Sequence, residues 1–311
     1  MKILVGTRGS QLALTQAESV RVQIAQLLPA DEVQLEVVKT LGDHLSASDA
    51  TGSGGEPPQG LFTKELDEAL LSGKIRAAIH SLKDVPTILP SGIGYGALLK
   101  REDPRDALVS KSGFKFFDLP AGSRVGTSSP RREAQIRAAR KDLKVMPLRG
   151  NVDTRLRKLR EDEYEAIVVA AAGLKRMGRE GEATELLPPE VILPAPAQGV
   201  LCVTLRQEDR EFLKALEALN HTPTRICAEA ERAFLRTLQG GCRVPVGALA
   251  SIDGETLLLS GVIANPNGEE ILRHSQNGHV DHPKELGEAL AKLFLSKGAQ
   301  EILNGFGRLS L

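Results

Sequence analysis

From its first residues to Leu205 the chain alternates short apolar runs with segments of helical period, a pattern that restricts it to mostly parallel sheets flanked by helices. Ile3-Leu4-Val5 leads through Arg8-Gly9-Ser10 into a helix on which Ala13, Ala17, Val20, Ile24 and Leu27 share a face, with Ser10 placed as its cap. Val33 to Val37 alternates as a strand, and a helix from Phe62 to Leu71 precedes the buried strand Ala77-Ala78-Ile79. A second block repeats the logic. Arg124 to Thr127 gives way to a helix from Pro130, Val145 to Leu148 to a helix beginning near Val152, and Ala166 to Ala170 is a buried strand. Leu193 to Ala197 reads as a connector, after which the apolar strand around Cys202 returns the chain to its first lobe.

The last third changes character. A helix from about Pro223 to Leu238 leads to Cys242, and Asp253-Gly254 and Asn265-Pro266-Asn267-Gly268 punctuate strand-like runs as hairpin turns do. A three-stranded antiparallel meander closed by a helix over Pro283 to Leu303 is expected. At 311 residues the chain has room for two or three domains of roughly 100–200 residues each. The expected division is 1–98 with 197–217, a discontinuous α/β domain; 99–196, a second α/β domain; and 218–311, an α+β domain. Two such lobes joined by crossing connectors would place a ligand cleft between them.

Forty acidic and forty basic residues cancel, so no global field draws the chain to nucleic acid or to a membrane. Two tyrosines and no tryptophan leave little for base stacking. No apolar run spans a bilayer and no signal region follows Met1, so a cytoplasmic protein is expected, or an organellar one whose transit peptide has been removed. The stretch from Asp43 to Gln59 is rich in Gly, Ser and Asp, and reads equally as a functional loop or a tolerated insertion.

Three cysteines cannot all pair, no C-x-x-C spacing exists, and six scattered histidines form no ligand cluster, so no metal is expected. Cys202 in an apolar strand and Cys227 on a helix read as packing residues. Cys242 differs: Gly240-Gly241 before it, Arg243 beside it and Pro245 after it describe a loop that displays a thiol, and a neighbouring cation favours the nucleophilic thiolate.

In open α/β sheets ligands bind beyond the carboxyl ends of the strands. Here those ends carry Arg8 and Ser10, then Ser81, Lys83 and Asp84, then Thr127 to Arg132, then Arg149-Gly150-Asn151, and finally Lys175-Arg176. Between Arg124 and Arg160 twelve Lys or Arg face only Glu133, Asp142 and Asp153. Ser129-Pro130 starts a helix whose first turn holds Arg131 and Arg132, against the helix dipole, so an anion should compensate them. Arginine forks suit carboxylates or phosphates, and a compact polycarboxylate fits a neutral chain better than nucleic acid. Asp84 is the single acid among these strand-end cations: it shuttles a proton or stabilises a developing cation, or it simply pairs with Lys83.

Several of these segments resemble the porphobilinogen deaminase family, also called hydroxymethylbilane synthases. They are Arg8-Gly9-Ser10-Gln11-Leu12-Ala13, Gly60-Leu61-Phe62-Thr63-Lys64-Glu65-Leu66, His80-Ser81-Leu82-Lys83-Asp84-Val85-Pro86, Gly126-Thr127-Ser128-Ser129-Pro130-Arg131-Arg132, Leu148-Arg149-Gly150-Asn151-Val152-Asp153-Thr154-Arg155, Pro196-Ala197-Gln198-Gly199 and the Cys242 segment. The resemblance implies two periplasmic-binding-protein-like α/β lobes and a C-terminal α+β domain. It further implies a transferase that condenses porphobilinogen on a dipyrromethane cofactor tethered to Cys242, Asp84 as catalytic acid, and a monomer. Arg8, Ser10, Ser81, Lys83, Thr127, Ser128, Ser129, Arg131, Arg132, Arg149, Gly150, Arg155, Arg176 and Gln198 would then bind the acetate and propionate groups of cofactor and substrate, with Phe62 a lid or cleft contact. Gln59 stands where the family commonly has lysine, which puts a cationic contact from that loop in doubt. The alternative, from a different class, is a non-catalytic two-lobed binding protein for a small polycarboxylate.

Overall fold

The computed structural model describes residues 2–40, 63–238 and 245–308, leaving aside the side chains of 305–308. The chain first lays down β1 (Lys2–Thr7), α1 (Gln11–Leu27), β2 (Glu32–Val37), α2 (Lys64–Leu71), β3 (Ala77–Ser81) and β4 (Ile93–Leu98). There follow β5 (Asp106–Ser110), β6 (Arg124–Gly126), α3 (Pro130–Ala139), β7 (Lys144–Met146), α4 (Val152–Arg160), β8 (Ala166–Ala170), α5 (Ala171–Arg176) and β9 (Glu185–Leu187). β10 (Leu201–Arg206) and α6 (Arg210–Leu216) come next, then α7 (Thr222–Thr237), β11 (Val246–Asp253), β12 (Thr256–Ala264), β13 (Ile271–His279), α8 (Pro283–Ser296) and α9 (Ala299–Arg308).

Two compact units result, Met1–Glu102 with Val200–Arg225, and Asp103–Gly199 with Ile226–Leu311. Each contains a five-stranded sheet of the same plan, β2-β1-β3-β10-β4 in the first unit and β7-β6-β8-β5-β9 in the second. The strands of the βαβ crossovers run parallel, while β10 and β5 are antiparallel to both their neighbours. An antiparallel strand begins at the edge where its parallel neighbours end. Thus Asp106 opposes Ala170, the last residue of β8, and Leu201 opposes Ser81, the last residue of β3. The third sheet is the expected antiparallel meander β11-β12-β13.

Period-two alternation divides each sheet between two cores. Ile3, Val5, Ala77 and Ile79 pack with α1 and Phe212, whereas Ala78 packs with Leu66, Leu70 and Ile75 on the other face. In the second unit Leu108, Val125, Ala166 and Val168 take one face and Ala107, Val109, Ile167 and Val169 the other. The C-terminal sheet buries Ala248, Leu257, Leu259 and Ile263 against Phe234, Leu290 and Phe294, each large side chain contributing about 1.5–3 kcal/mol. Gly287 lets α8 cross α7 closely, since a Cβ there would strike the backbone at Ala230.

Two expectations need correction. The helix expected over Pro283 to Leu303 is two helices, broken where Gly298 takes a left-handed φ of 91° that ends the first one. The helix expected to start at Phe62 is described from Lys64, Phe62 itself lying outside the described residues.

Candidate functional site

In the first unit, three segments converge. Arg8, Ser10, Leu12, Ala13, Gln16, Thr63, Ile79, His80, Ser81 and Asp84 line one concavity at the carboxyl edge of β1 and β3. Ser10 is placed by its capping role: extended at φ −71° and ψ 147°, it accepts the Ala13 N–H on its hydroxyl at 3.3 Å. Asp84 ends a 3-10 turn, Leu82–Asp84, anchored by the Leu82 N–H donating to the Val200 carbonyl at 2.9 Å, and Lys83 lies in the same turn. The Ser81 hydroxyl donates to Gln16 Oε1 at 3.3 Å.

His80 pairs with the Thr204 hydroxyl at 3.1 Å, and burial together with the nearby Arg8 charge pushes its pKa down to about 4. It is therefore neutral at physiological pH and adds no cation to the concavity. Another concavity, lined by Leu89, Pro90, Ser91, Gly92 and Gln207 among others, lies where β4 begins and carries none of the expected residues.

In the second unit the expected anion is supplied first from within. Asp106 is buried; its Oδ2 accepts from Arg131 Nη1 at 2.7 Å and its Oδ1 from Arg132 Nη2 at 2.7 Å, with the arginine side chains only 5% and 6% exposed. Burial alone would raise the carboxyl pKa, but the two guanidiniums outweigh it and hold Asp106 well below the usual carboxylate range. Gln198 Nε2 donates to the same Oδ1 at 2.9 Å and to the Pro104 carbonyl at 2.8 Å.

The arginines are only partly used by these bonds. Arg131 engages Asp106 and the Leu193 carbonyl through Nη1 alone, leaving Nε and Nη2 outside those contacts. Arg132 engages Val168 through Nη1 and Asp106 through Nη2, and its Nε is buried with no partner among the described residues. An orphaned guanidinium hydrogen of this kind is costly unless a ligand satisfies it.

The other expected residues surround this pair. Ser129 caps α3, its hydroxyl accepting the Arg132 N–H at 3.5 Å, and the buried Thr127 hydroxyl accepts the Ser129 N–H at 3.1 Å, while Ser128 is exposed. Gly150 turns at φ 110° into α4, capped by Asn151, and accepts from Arg155 Nε at 2.8 Å. Arg155 has no carboxylate partner among the described residues, and burial with the neighbouring Arg132 charge lowers its pKa to about 10. Arg149 is exposed. Arg176 Nη2 donates to the Gly199 carbonyl at 2.6 Å, bracing the turn that holds Gln198. Ala197 in that turn adopts a φ of 62°, unusual for a residue with a Cβ, and Glu231 holds it by accepting its N–H at 2.6 Å.

Sequence reasoning missed Asp106, Gln16, Gln135 and Glu231. Cys242, Phe62, Gln59 and the 43–59 stretch lie outside the described residues. The donors present fit a dipyrrole bearing several carboxylates: among the described residues Arg132 Nε is buried without a partner, Arg155 has no carboxylate counter-ion, and Arg131 keeps Nε and Nη2 outside its bonds to Asp106 and Leu193.

Solved structures similar to this chain include a putative L-cystine ABC transporter from Listeria monocytogenes, at 15% identity and a TM-score of 0.38 over 70% of this chain and 88% of that one. A putative periplasmic sulfonate-binding protein from Methylobacillus flagellatus matches at 12% identity and a TM-score of 0.41, over 77% and 68%. Much closer in sequence are porphobilinogen deaminases. That of Syntrophobacter fumaroxidans is 46% identical over 97% of this chain and 96% of its own length, and that of a Roseiflexus species 46% over 97% and 99%. The family model described as "Porphobilinogen deaminase, dipyromethane cofactor binding domain" matches residues 3–214, and that for the family's C-terminal domain matches residues 225–296. Similarity that runs the length of both partners, through the strand-end cations and into the C-terminal sheet, leaves one conclusion: this chain belongs to the porphobilinogen deaminase family.

Proposed function

We propose that this chain is a hydroxymethylbilane synthase, a transferase that joins four porphobilinogens head to tail, releases ammonia at each addition and hydrolyses the product to the linear tetrapyrrole. The observation that carries the assignment of roles is the meeting of Asp84 with Arg8, Ser10 and Ser81 in one concavity. A carboxyl group set among carboxylate-binding cations is what a reaction that releases ammonia and passes through a carbocation requires.

The Asp84 carboxylate faces the substrate's aminomethyl ammonium, whose C–N bond breaks as ammonia leaves with the bonding pair. The same carboxylate then stabilises the cationic methylene carbon. Once the new carbon–carbon bond has formed, Asp84 accepts the proton that is released. A dipyrromethane held through a thioether to Cys242 supplies an electron-rich pyrrole carbon as the nucleophile. Arg8, Ser10, Ser81 and Lys83 in the first unit, and Thr127, Ser128, Ser129, Arg131, Arg132, Arg149, Gly150, Arg155, Arg176 and Gln198 in the second, bind acetate and propionate groups. Phe62 is assigned the role of a lid or cleft contact. His80 stays neutral, so it does not compete with these cations for carboxylates.

The domain division proposed is 1–98 with 197–217, 99–196 and 218–311, with the cysteine on the third. A cytoplasmic monomer is proposed as well, to be checked by sedimentation. The decisive measurement is the intact mass of the purified protein before and after incubation with porphobilinogen, with ammonia followed in parallel. An adduct of two pyrrole units and stoichiometric ammonia are expected. Reversible binding with neither would leave the polycarboxylate-binding reading.

A further inference from the structure

Arg131 is linked to the C-terminal sheet through Gln135 and the Leu193 carbonyl. Gln135 lies one turn after it on α3, 1% exposed, with its whole amide engaged. Nε2 donates to the Arg131 carbonyl at 3.2 Å and the Leu193 carbonyl at 3.1 Å; Oε1 accepts the Leu193 N–H at 2.8 Å and Arg273 Nη2 at 2.7 Å. Two donors and two acceptor sites are all that this side chain has. Arg273, on β13, also donates to the Val191 carbonyl at 3.0 Å and the Pro189 carbonyl at 3.3 Å.

The Leu193 carbonyl is the meeting point, because it accepts Arg131 Nη1 at 2.8 Å as well as Gln135. The neighbouring strand fixes its place. The Ala248 N–H donates to the Pro194 carbonyl at 2.9 Å, and a Cβ on Gly247 would stand 2.7 Å from the Leu193 oxygen. Residues 189–194 are thus held between β11, β13 and α3, and the guanidinium of Arg131 takes its position from them.

We propose that Arg273 and Gln135 are positioning residues for Arg131: through the Leu193 carbonyl they fix the guanidinium at the position that receives a carboxylate of the tethered dipyrrole. This rests on the reading of Arg131 as a cofactor contact. Packing between layers would also use a buried arginine, but packing alone does not need every hydrogen of Gln135 directed at Arg131 and its acceptor. An ångström of displacement at such a contact costs up to about a hundredfold in rate.

The test prepares apo-enzyme of the parent, Arg273→Met, Arg273→Lys, Gln135→Glu and Arg131→Leu, adds porphobilinogen, and follows the covalent adduct by intact mass. Circular dichroism reports folding. Arg273→Met should load on the order of tenfold more slowly than the parent with native secondary structure, and Arg273→Lys should recover part of the loss because its ammonium still donates. Should Arg273→Met not fold, Gln135→Glu decides: it keeps the acceptor for Arg273 but loses both donors, and slowed loading is expected. Parental loading by the folded Arg273→Met, or in its absence by Gln135→Glu, beside slow loading by Arg131→Leu would overturn the positioning role and leave the Arg131 assignment standing. Parental loading by Arg131→Leu would remove the assignment and the inference together.

Discussion

Asp106 and Arg132 meet at 2.7 Å in the interior of the second unit, the carboxylate wholly buried and the guanidinium nearly so. With Arg131 on its other oxygen, one acid is shared by two cations that a helix N-terminus would otherwise disfavour and cancels one of their two charges. The remaining positive charge is what a ligand carboxylate sees.

Asp106→Asn should therefore destabilise the protein by roughly 3–5 kcal/mol, because it strands two buried guanidiniums. The depressed carboxyl pKa means that the wild-type contribution is complete above the ordinary aspartate value, about 3.9, and disappears only as pH falls toward the folded value. Urea unfolding should show a gap between the two proteins that is constant from about pH 5 to 8. A gap under about 1 kcal/mol, typical of exposed pairs, would mean that water reaches this one.

Asp84→Asn keeps shape and hydrogen bonding but removes the negative charge and the transferable proton. Turnover should fall on the order of 10²-fold or more, while cofactor content falls less, since the tether and arginine contacts remain. Normal turnover in a fully loaded variant would make the carboxyl structural.

Cys242→Ser should give a folded protein without adduct and without activity, because an alkoxide is inaccessible where a thiolate is not. Persistence of the adduct mass would move attachment to Cys202 or Cys227, both of which are buried.

His80 makes stability depend on mildly acid pH. Its folded pKa, about 4, lies below the ordinary histidine value of about 6.5, so between these the unfolded chain binds a proton that the folded one refuses. Stability should fall as pH drops from about 6.5 to 4, by up to roughly 3 kcal/mol. His80→Gln should flatten this part of the profile in denaturant titrations; an unchanged slope would assign it to other groups.

What could be seen from the chain alone was local. Serine caps are written within three residues of the N–H they satisfy, so Ser10 and Ser129 announced α1 and α3. Apolar runs announced β1, β3 and β8. Asp106 was hidden because Glu102-Asp103-Pro104-Arg105-Asp106 reads as a solvated charge cluster. Asp103 does pair locally with the half-exposed Arg105, yet Asp106 is completely buried. Its burial follows from β5 running against its neighbours, which brings its first residue to the edge where β8 ends, and no short-range pattern encodes strand direction. β9, three residues long, is too short to show a period.

The place of β10 has a consequence for synthesis. It lies between β3 and β4, yet its residues 201–206 follow β4 only after the whole of β5 to β9 has been made. On the ribosome, the first sheet must therefore wait, with the facing edges of β3 and β4 unpaired, while the second lobe is translated at about 5–20 residues per second. The second lobe's own sheet is contiguous in sequence and can close as it emerges. The order of folding would then invert the order of translation, with the lobe that begins last finished first and the nascent N-terminal segment the part most in need of chaperone cover.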